Sequence, residues 1–285
     1  MCIRDRRSCA EVIVESAPLT PDGFANLRFA ALANVPPGAP FFPAAYHSGD
    51  TPGFALALEA ADLAVTSFEN AGSLKEARQN LVAVVEQNAL TLSQTAEALS
   101  SRFALPFGGI DFSMAPYPEE LRSLGTAIER IGAPSVGQSG SLTATAILAD
   151  TLDQARFPRA GFCGVFLPVM EDAVLGERVA SGLLNLKDLL LYSSVCGTGL
   201  DTIPLPGDTT VDEVAPILLD LAALAHRLDK PLTARLMPIP RAQAGDFTGF
   251  DFDYFTNSQV MSIDTGTLNH YLSGEESFQL SPRQR

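Results

Sequence analysis

The sequence predicts an α/β fold with largely buried, mostly parallel strands, and three observations carry that expectation. Short apolar runs alternate with longer stretches of helical periodicity. Two helical stretches open on capping-box signatures, Ser73-Leu74-Lys75-Glu76 and Thr210-Val211-Asp212-Glu213, whose first and fourth side chains can satisfy each other's orphan backbone donors. No repeat of fixed period, low-complexity linker or composition break divides the 285 residues, so one domain is expected.

In chain order, 27–33 is an apolar run closed by the breaker Asn34-Val35-Pro36-Pro37-Gly38 and reads as a buried strand. Phe54, Leu56 and Leu58 alternate with alanine, as a short strand does. Behind Ser73, the stripe Leu74, Ala77, Leu81, Val85, Leu92, Ala96, Leu99, Phe103 predicts one long amphipathic helix or two in line, interrupted near Asn88 and ended by Pro106. Residues 109–114 form the next strand. Pro118 suits a first helical position and Gly132 a left-handed stop. A helix over 142–152, a strand over 162–169 and helices over 171–183 and 185–194 follow. Val214, Leu218, Leu221, Ala225 and Leu228 make the helix behind Thr210, with Pro216 predicting a kink or a later start. Residues 232–237 are the last strand.

Hydrophobic residues make up 46% and charged residues 18%, too apolar a balance for intrinsic disorder. The longest apolar stretches fall well short of the ~20 residues a membrane helix needs. A formal charge of −14 with scattered Lys and Arg speaks against nucleic acid or an anionic membrane as a partner. Beyond the first six residues the cysteines are Cys9, Cys163 and Cys196, an odd number with no close pair, which makes neither a disulfide framework nor a zinc site, so a cytoplasmic location is expected.

Back-translated as ATGTGTATAAGAGACAG, Met1-Cys2-Ile3-Arg4-Asp5-Arg6 matches a transposon end used to prepare sequencing libraries. Residues 1–6 are therefore expected to be a technical scar, and 7–285 a single α/β domain lacking its N-terminal part. Removing the scar moves the formal charge from −14 to −15, because two arginines and one aspartate go.

The densest candidate for chemistry is Ser193-Ser194-Val195-Cys196-Gly197-Thr198-Gly199-Leu200-Asp201. Gly197 and Gly199 let backbone amides approach a ligand. Cys196 is a candidate thiolate nucleophile with Asp201 as acid, base or orienter. The alternative is a buried small residue at a tight turn. Gly137-Gln138-Ser139-Gly140-Ser141 precedes a helix, so Ser139 and the neighbouring amides can cradle an anion, although Ser141 as an ordinary N-cap explains much of the segment. It matches neither the Walker pattern nor the dinucleotide fingerprint.

Asp111, Glu171-Asp172 and Asp208 stand at strand ends or turns, where they can bind a divalent cation or divide acid and base work if the fold gathers them. Singly, each suits a helix N-terminus or a cap. His47 lies in a glycine-containing loop beside Asp50, whereas His226 and His270 have unremarkable settings. Arg235 is a charge inside an apolar strand; a buried arginine must be paired or face a cavity, so it binds a substrate anion or one of these carboxylates. Phe250-Asp251-Phe252-Asp253-Tyr254 alternates strictly, which in an extended chain parts carboxylates from aromatics.

These segments resemble an uncharacterised family, domain of unknown function 711, also known as uncharacterised protein family 0210. Its blocks occur here in order: Asp111-Phe112-Ser113-Met114-Ala115-Pro116, Ser135-Val136-Gly137, Gly164-Val165-Phe166-Leu167-Pro168-Val169-Met170-Glu171-Asp172, Leu184-Asn185-Leu186, and Val195-Cys196-Gly197-Thr198-Gly199-Leu200-Asp201 with Pro206-Gly207-Asp208-Thr209. Ala44-Ala45-Tyr46-His47 and the Arg235 strand also look like family positions. The resemblance implies a pyruvate formate-lyase-like fold, here a partial barrel of mostly parallel strands covered by helices. In that fold a cysteine-bearing loop points into the barrel, which suits Cys196. The glycyl-radical context found in the wider fold is absent around Gly266 and Gly274, so no glycyl radical is expected.

Three functions stay open on this reading. One is an enzyme on a small polar or anionic metabolite, with Cys196, Asp201 and His47 catalytic and Arg235, Gly197, Gly199, Ser139, Asp111 and Glu171 binding substrate. A second is a non-catalytic binding or scaffolding protein, and a third a carboxylate-metal hydrolase. The pattern names no cofactor, a small molecule is the expected partner, and a homo-oligomer is compatible with it.

Overall fold

The computed structural model describes residues 2–282. In chain order the elements are α1 (Ile3–Ser16), β1 (Ala31–Ala33), β2 (Phe54–Glu59), α2 (Ala61–Glu69), α3 (Leu74–Phe103), β3 (Phe107–Ser113), α4 (Leu124–Ile131), α5 (Ser141–Gln154), α6 (Ala173–Ala180), α7 (Leu186–Tyr192), β4 (Gly199–Pro206), α8 (Val211–Leu228) and β5 (Leu232–Ile239). The class is mixed α/β with small, mostly parallel sheets. Strands β2 and β3 pair in parallel; β4 and β5 pair in parallel, and the short β1 lies antiparallel on the far edge of β5.

An irregular segment, 158–169, joins the two sheets. It makes parallel bridges Ile110–Arg159 and Met114–Val165 to the β3 side and Pro168–Asp201 to β4. The backbone runs continuously across one curved array, but no closed barrel forms among the described residues. The sequence reads 162–169 as a regular strand. Instead the segment turns at Cys163, whose φ is +44°, and pairs at single points.

Local signals place the helices well. Ser73 caps α3, its Oγ accepting from the Glu76 amide at 3.2 Å, and the helix runs 30 residues (about 45 Å) without a break. Asn88 does not interrupt it, because its exposed amide donates to the Val84 carbonyl at 2.8 Å. The complete capping box at Thr210 starts α8 at Val211, and the helix continues through Pro216 with no later start. Gly132 ends α4 at φ +128°, as expected, but α4 begins at Leu124 behind the cap Ser123 rather than at Pro118. Residues 24–28 form a 3₁₀ turn and only Ala31–Ala33 pair as strand, because buried Asn26 donates to the Ile13 and Leu236 carbonyls and pins the chain there. Ile3 to Arg6 form the first turn of α1; Ile3 is buried and Arg6 Nη1 donates to the Leu32 carbonyl at 3.0 Å.

The main core lies between the helices and one face of the strand array. Ile110, Phe112, Leu200, Ile203, Ala234 and Leu236 pack there with Leu218, Leu221 and Ala225 of α8. Side chains alternate along a strand, so Arg235 and Met237 occupy the other face of β5. That face is covered by an aromatic cluster: Phe24, Phe250, Phe252 and Phe255 stack edge-on or tilted around Met170 and Met237. The expected alternation over 250–254 does not form, since Phe252 and Phe255 close a tight turn that drives both rings into this cluster.

Candidate functional site

Arg235 organises the face turned away from α8. Its Nε donates to Asp201 Oδ1 at 2.6 Å, its Nη2 to Glu171 Oε1 at 2.9 Å, and its Nη1 to the Leu27 carbonyl at 3.4 Å. The arginine side chain is 11% exposed and that of Asp201 1%, whereas Glu171 keeps 25% of its surface. Of the two partners expected for a buried arginine, the structure supplies carboxylates, and Glu171 is the member that reaches solvent.

The backbone bends to make this possible. The β4–β5 register shifts between Leu200 and Ile203, and buried Thr202 sits at φ +41°, a conformation costly for a β-branched residue. The bulge falls immediately after Asp201, and the Thr202 hydroxyl accepts from the Met170 amide at 3.4 Å, tying β4 to the residue before Glu171. Strain of this kind collects at functional sites.

Burial pushes the Glu171 carboxyl up to about 8; Arg235 opposes the rise, and Asp201 and Glu59 add to it. Glu59, the last residue of β2, is likewise raised by burial, with Arg122 pulling the other way. Arg122 lies over the Tyr117 ring at 4.4 Å, and Tyr117 meets Tyr254 edge-on at 5.7 Å. Glu59, Tyr117, Arg122 and Tyr254 escape a sequence reading, because nothing local marks an exposed glutamate or a lone arginine as a neighbour of residue 171.

The other expected site residues lie elsewhere. Cys196 is 2% exposed and belongs to the main core, at the tight turn after α7, where its carbonyl and that of Ser193 accept from Lys230 Nζ. This is the buried-turn alternative. The two glycines have backbone reasons: a Cβ on Gly197 would stand 2.1 Å from the Gly164 Cα, and Gly199, at φ +103°, abuts the Thr233 backbone. Gly197→Ala is expected to cost about 1–3 kcal/mol in urea denaturation through overpacking, while Gly249→Ala, where nothing lies within 4 Å, stays near neutral.

Asp111 accepts from the Ser113 hydroxyl at 2.5 Å and from the Phe162 and Cys163 amides at 3.0 and 2.8 Å, locking the irregular segment to β3. Burial raises its carboxyl against those hydrogen bonds. The Cys163 thiol is pushed up to about 11 by burial and by Asp111, which keeps it protonated and unreactive. Asp172 caps α6 and also receives the Ser123 hydroxyl and the first amides of α4. Asp111, Glu171 and Asp172 thus have separate hydrogen-bond partners, and no group of three His, Cys, Asp or Glu side chains is placed to hold a metal among the described residues.

His47 is exposed, its Nε2 within 3.0 Å of the Gly49 carbonyl, and lines a separate cavity of about 710 Å³ with Tyr46, Phe54 and Pro106, near the start of β2. Ser139 is exposed in the turn before α5. Gly140, not Ser141, is the N-cap there, and Ser141 Oγ instead donates to the Gln138 carbonyl at 2.8 Å.

Fold and site together define a mixed α/β protein in which a buried arginine clamps two carboxylates on the face of a parallel array turned away from α8. The chain belongs to the family described as Uncharacterised ACR (DUF711), whose model matches residues 3–257. Among curated relatives, a UPF0210 protein of Pyrobaculum aerophilum is 34% identical over 249 residues, covering 85% of this chain and 54% of its own length. One from Pyrobaculum arsenaticum is 34% identical over 250 residues with the same coverage, and one from Clostridium beijerinckii 31% over 262 residues, covering 86% and 56%. The chain spans about half the length of the curated relatives it matches. No helix among the described residues is long and apolar enough to cross a membrane.

Proposed function

We propose that the protein is an enzyme acting on a small polar metabolite, with Glu171 as its general acid–base group. One observation carries this reading: a carboxyl with a quarter of its side chain exposed is held by Arg235, and burial raises its proton affinity to about 8 against that cation. A carboxyl titrating near neutral pH in a partly open site is poised to give and take protons. Asp201 supports it by holding the other edge of the guanidinium, which fixes the bond to Glu171. We further propose that the array from β2 through 158–169 to β5 is one side of a pyruvate formate-lyase-like barrel, in a cytoplasmic protein that works without a glycyl radical; the parallel bridges along 158–169 support this.

The test has a physical and a chemical arm. A glutamate raised in the folded state binds a proton between pH 4.5 and about 8 that the unfolded chain has lost. Stability should therefore fall as pH rises through that window, with a slope approaching 1.4 kcal/mol per pH unit, and be flat above it. Urea denaturation of Glu171→Gln should show that slope removed; an unchanged slope defeats the assignment. In turnover screens of metabolite mixtures by mass spectrometry, Glu171→Gln should lose about 10²–10⁴-fold of any activity. Cys196→Ser should keep it. The opposite outcome favours the thiol, and no turnover at all favours a binding protein.

A further inference from the structure

We infer that Arg122, seated on Tyr117 and followed by the Ser123 whose hydroxyl binds Asp172, binds the carboxylate or phosphate group of the substrate on which the neighbouring Glu171 acts; the substrate role rests on the acid–base reading of Glu171. Arg122 is half-buried, yet among the described residues its guanidinium makes no hydrogen bond and no ion pair. A guanidinium withdrawn from water is normally paired. Arg235 shows what satisfaction looks like here, with Asp201, Glu171 and the Leu27 carbonyl spread over its three nitrogens. Each of its nitrogens already has a protein partner, whereas none of those of Arg122 has one among the described residues.

The position of Arg122 is built by the fold. The Tyr117 amide donates to the Arg122 carbonyl at 3.0 Å, so this turn closes on itself and lays the guanidinium over the Tyr117 ring. A cation–π seat at 4.4 Å uses none of the N–H groups, so the planar fork stays free for two-pronged contact with an oxyanion. Tyr254 stands beside Tyr117 in edge-on contact at 5.7 Å. Two residues on, the Thr256 amide donates to the Met170 carbonyl at 2.6 Å, which brings this segment beside Glu171. Glu59, at the end of β2, lies within electrostatic reach of both Arg122 and Glu171. A small anion held by Arg122 has Glu171 as the neighbouring proton donor or acceptor, and the aromatic edges of Tyr117 and Tyr254 flank its body. The net charge of −14 gives no general attraction for anions, so binding must be local.

Isothermal titration calorimetry with inorganic phosphate and with succinate, at pH 7 and at ionic strength held constant with sodium chloride, tests this. The wild-type chain should bind at least one of them saturably at one site. Arg122→Ala should weaken binding tenfold or more and Arg122→Lys less, because lysine keeps the charge and loses the fork. Arg130→Ala, which removes an exposed arginine paired with Glu69, should leave it unchanged. Glu171→Gln should still bind; if its pH-dependent stability shows no Glu171 signature while Arg122 still governs binding, the anion site stands and the acid–base role falls. Absence of saturable binding to either probe, or Arg122→Ala binding within twofold of wild type, overturns the inference.

Discussion

Arg235→Ala should lower stability by about 3–5 kcal/mol, the cost of stranding one side of a buried charge network. Asp201 is 1% exposed and its given bond from Arg235 is at 2.6 Å, so alanine leaves a carboxylate in the interior with no cation. Glu171 would also lose its 2.9 Å contact. The loss depends on pH with a definite sign. Above pH 8 Glu171 carries its charge and the deficit is greatest; toward pH 5 it is protonated in the folded protein and the deficit shrinks. Arg235→Lys restores the charge but cannot span two acids set along the edge of a planar fork, so it should recover only part of the loss. Urea denaturation at pH 5, 7 and 9 decides this. A loss below about 1 kcal/mol at every pH would show that the cluster behaves as a solvated surface pair.

Asp172→Ala should be as damaging for a different reason. Asp172 Oδ1 accepts from the Ser123 hydroxyl at 2.6 Å and the Val174 and Leu175 amides at 3.0 Å; Oδ2 accepts from the Leu124 and Gly125 amides at 2.6 and 3.3 Å. One fully buried carboxylate therefore closes the N-termini of both α4 and α6. Alanine orphans five donors in a dry site, and at roughly 1 kcal/mol or more each the total is about 5 kcal/mol or above. Ser123→Ala loses one cap and one of those donors, for about 1–2 kcal/mol. Asp172→Asn keeps one carbonyl oxygen and should fall between. Denaturation midpoints rank the three variants; Asp172→Ala no worse than Ser123→Ala would mean that water replaces the carboxylate.

These residues differ in how far the chain announces them. The box Thr210–Glu213 names the start of α8, because both hydrogen-bonding partners lie within one turn. Glu171-Asp172 shows an acidic helix start, but only the fold separates the pair, burying Asp172 at two helix ends and leaving Glu171 open on the other side. Arg235 in an apolar strand demands a partner, and the choice of Asp201 and Glu171 is invisible at separations of 34 and 64 residues. Strand β4 hides behind Pro204 and Pro206, which cannot donate to a ladder and break the apolar pattern. Cys196 looks exposed only while Gly197 is read as ligand space; in the fold that space is filled by Gly164.

By itself the sequence determined what short-range chemistry controls: an α/β alternation, an amphipathic helical stripe from Leu74 to Phe103 with its cap at Ser73, and an arginine in need of a partner or a cavity. Only the tertiary structure decided which acids meet that arginine, that the thiols of Cys163 and Cys196 are buried, and that Arg122 stands unpaired near Glu171. The reason is physical. Periodicity and capping act over three or four residues, whereas burial and charge pairing depend on where the irregular 158–169 segment carries the chain between β3 and β4.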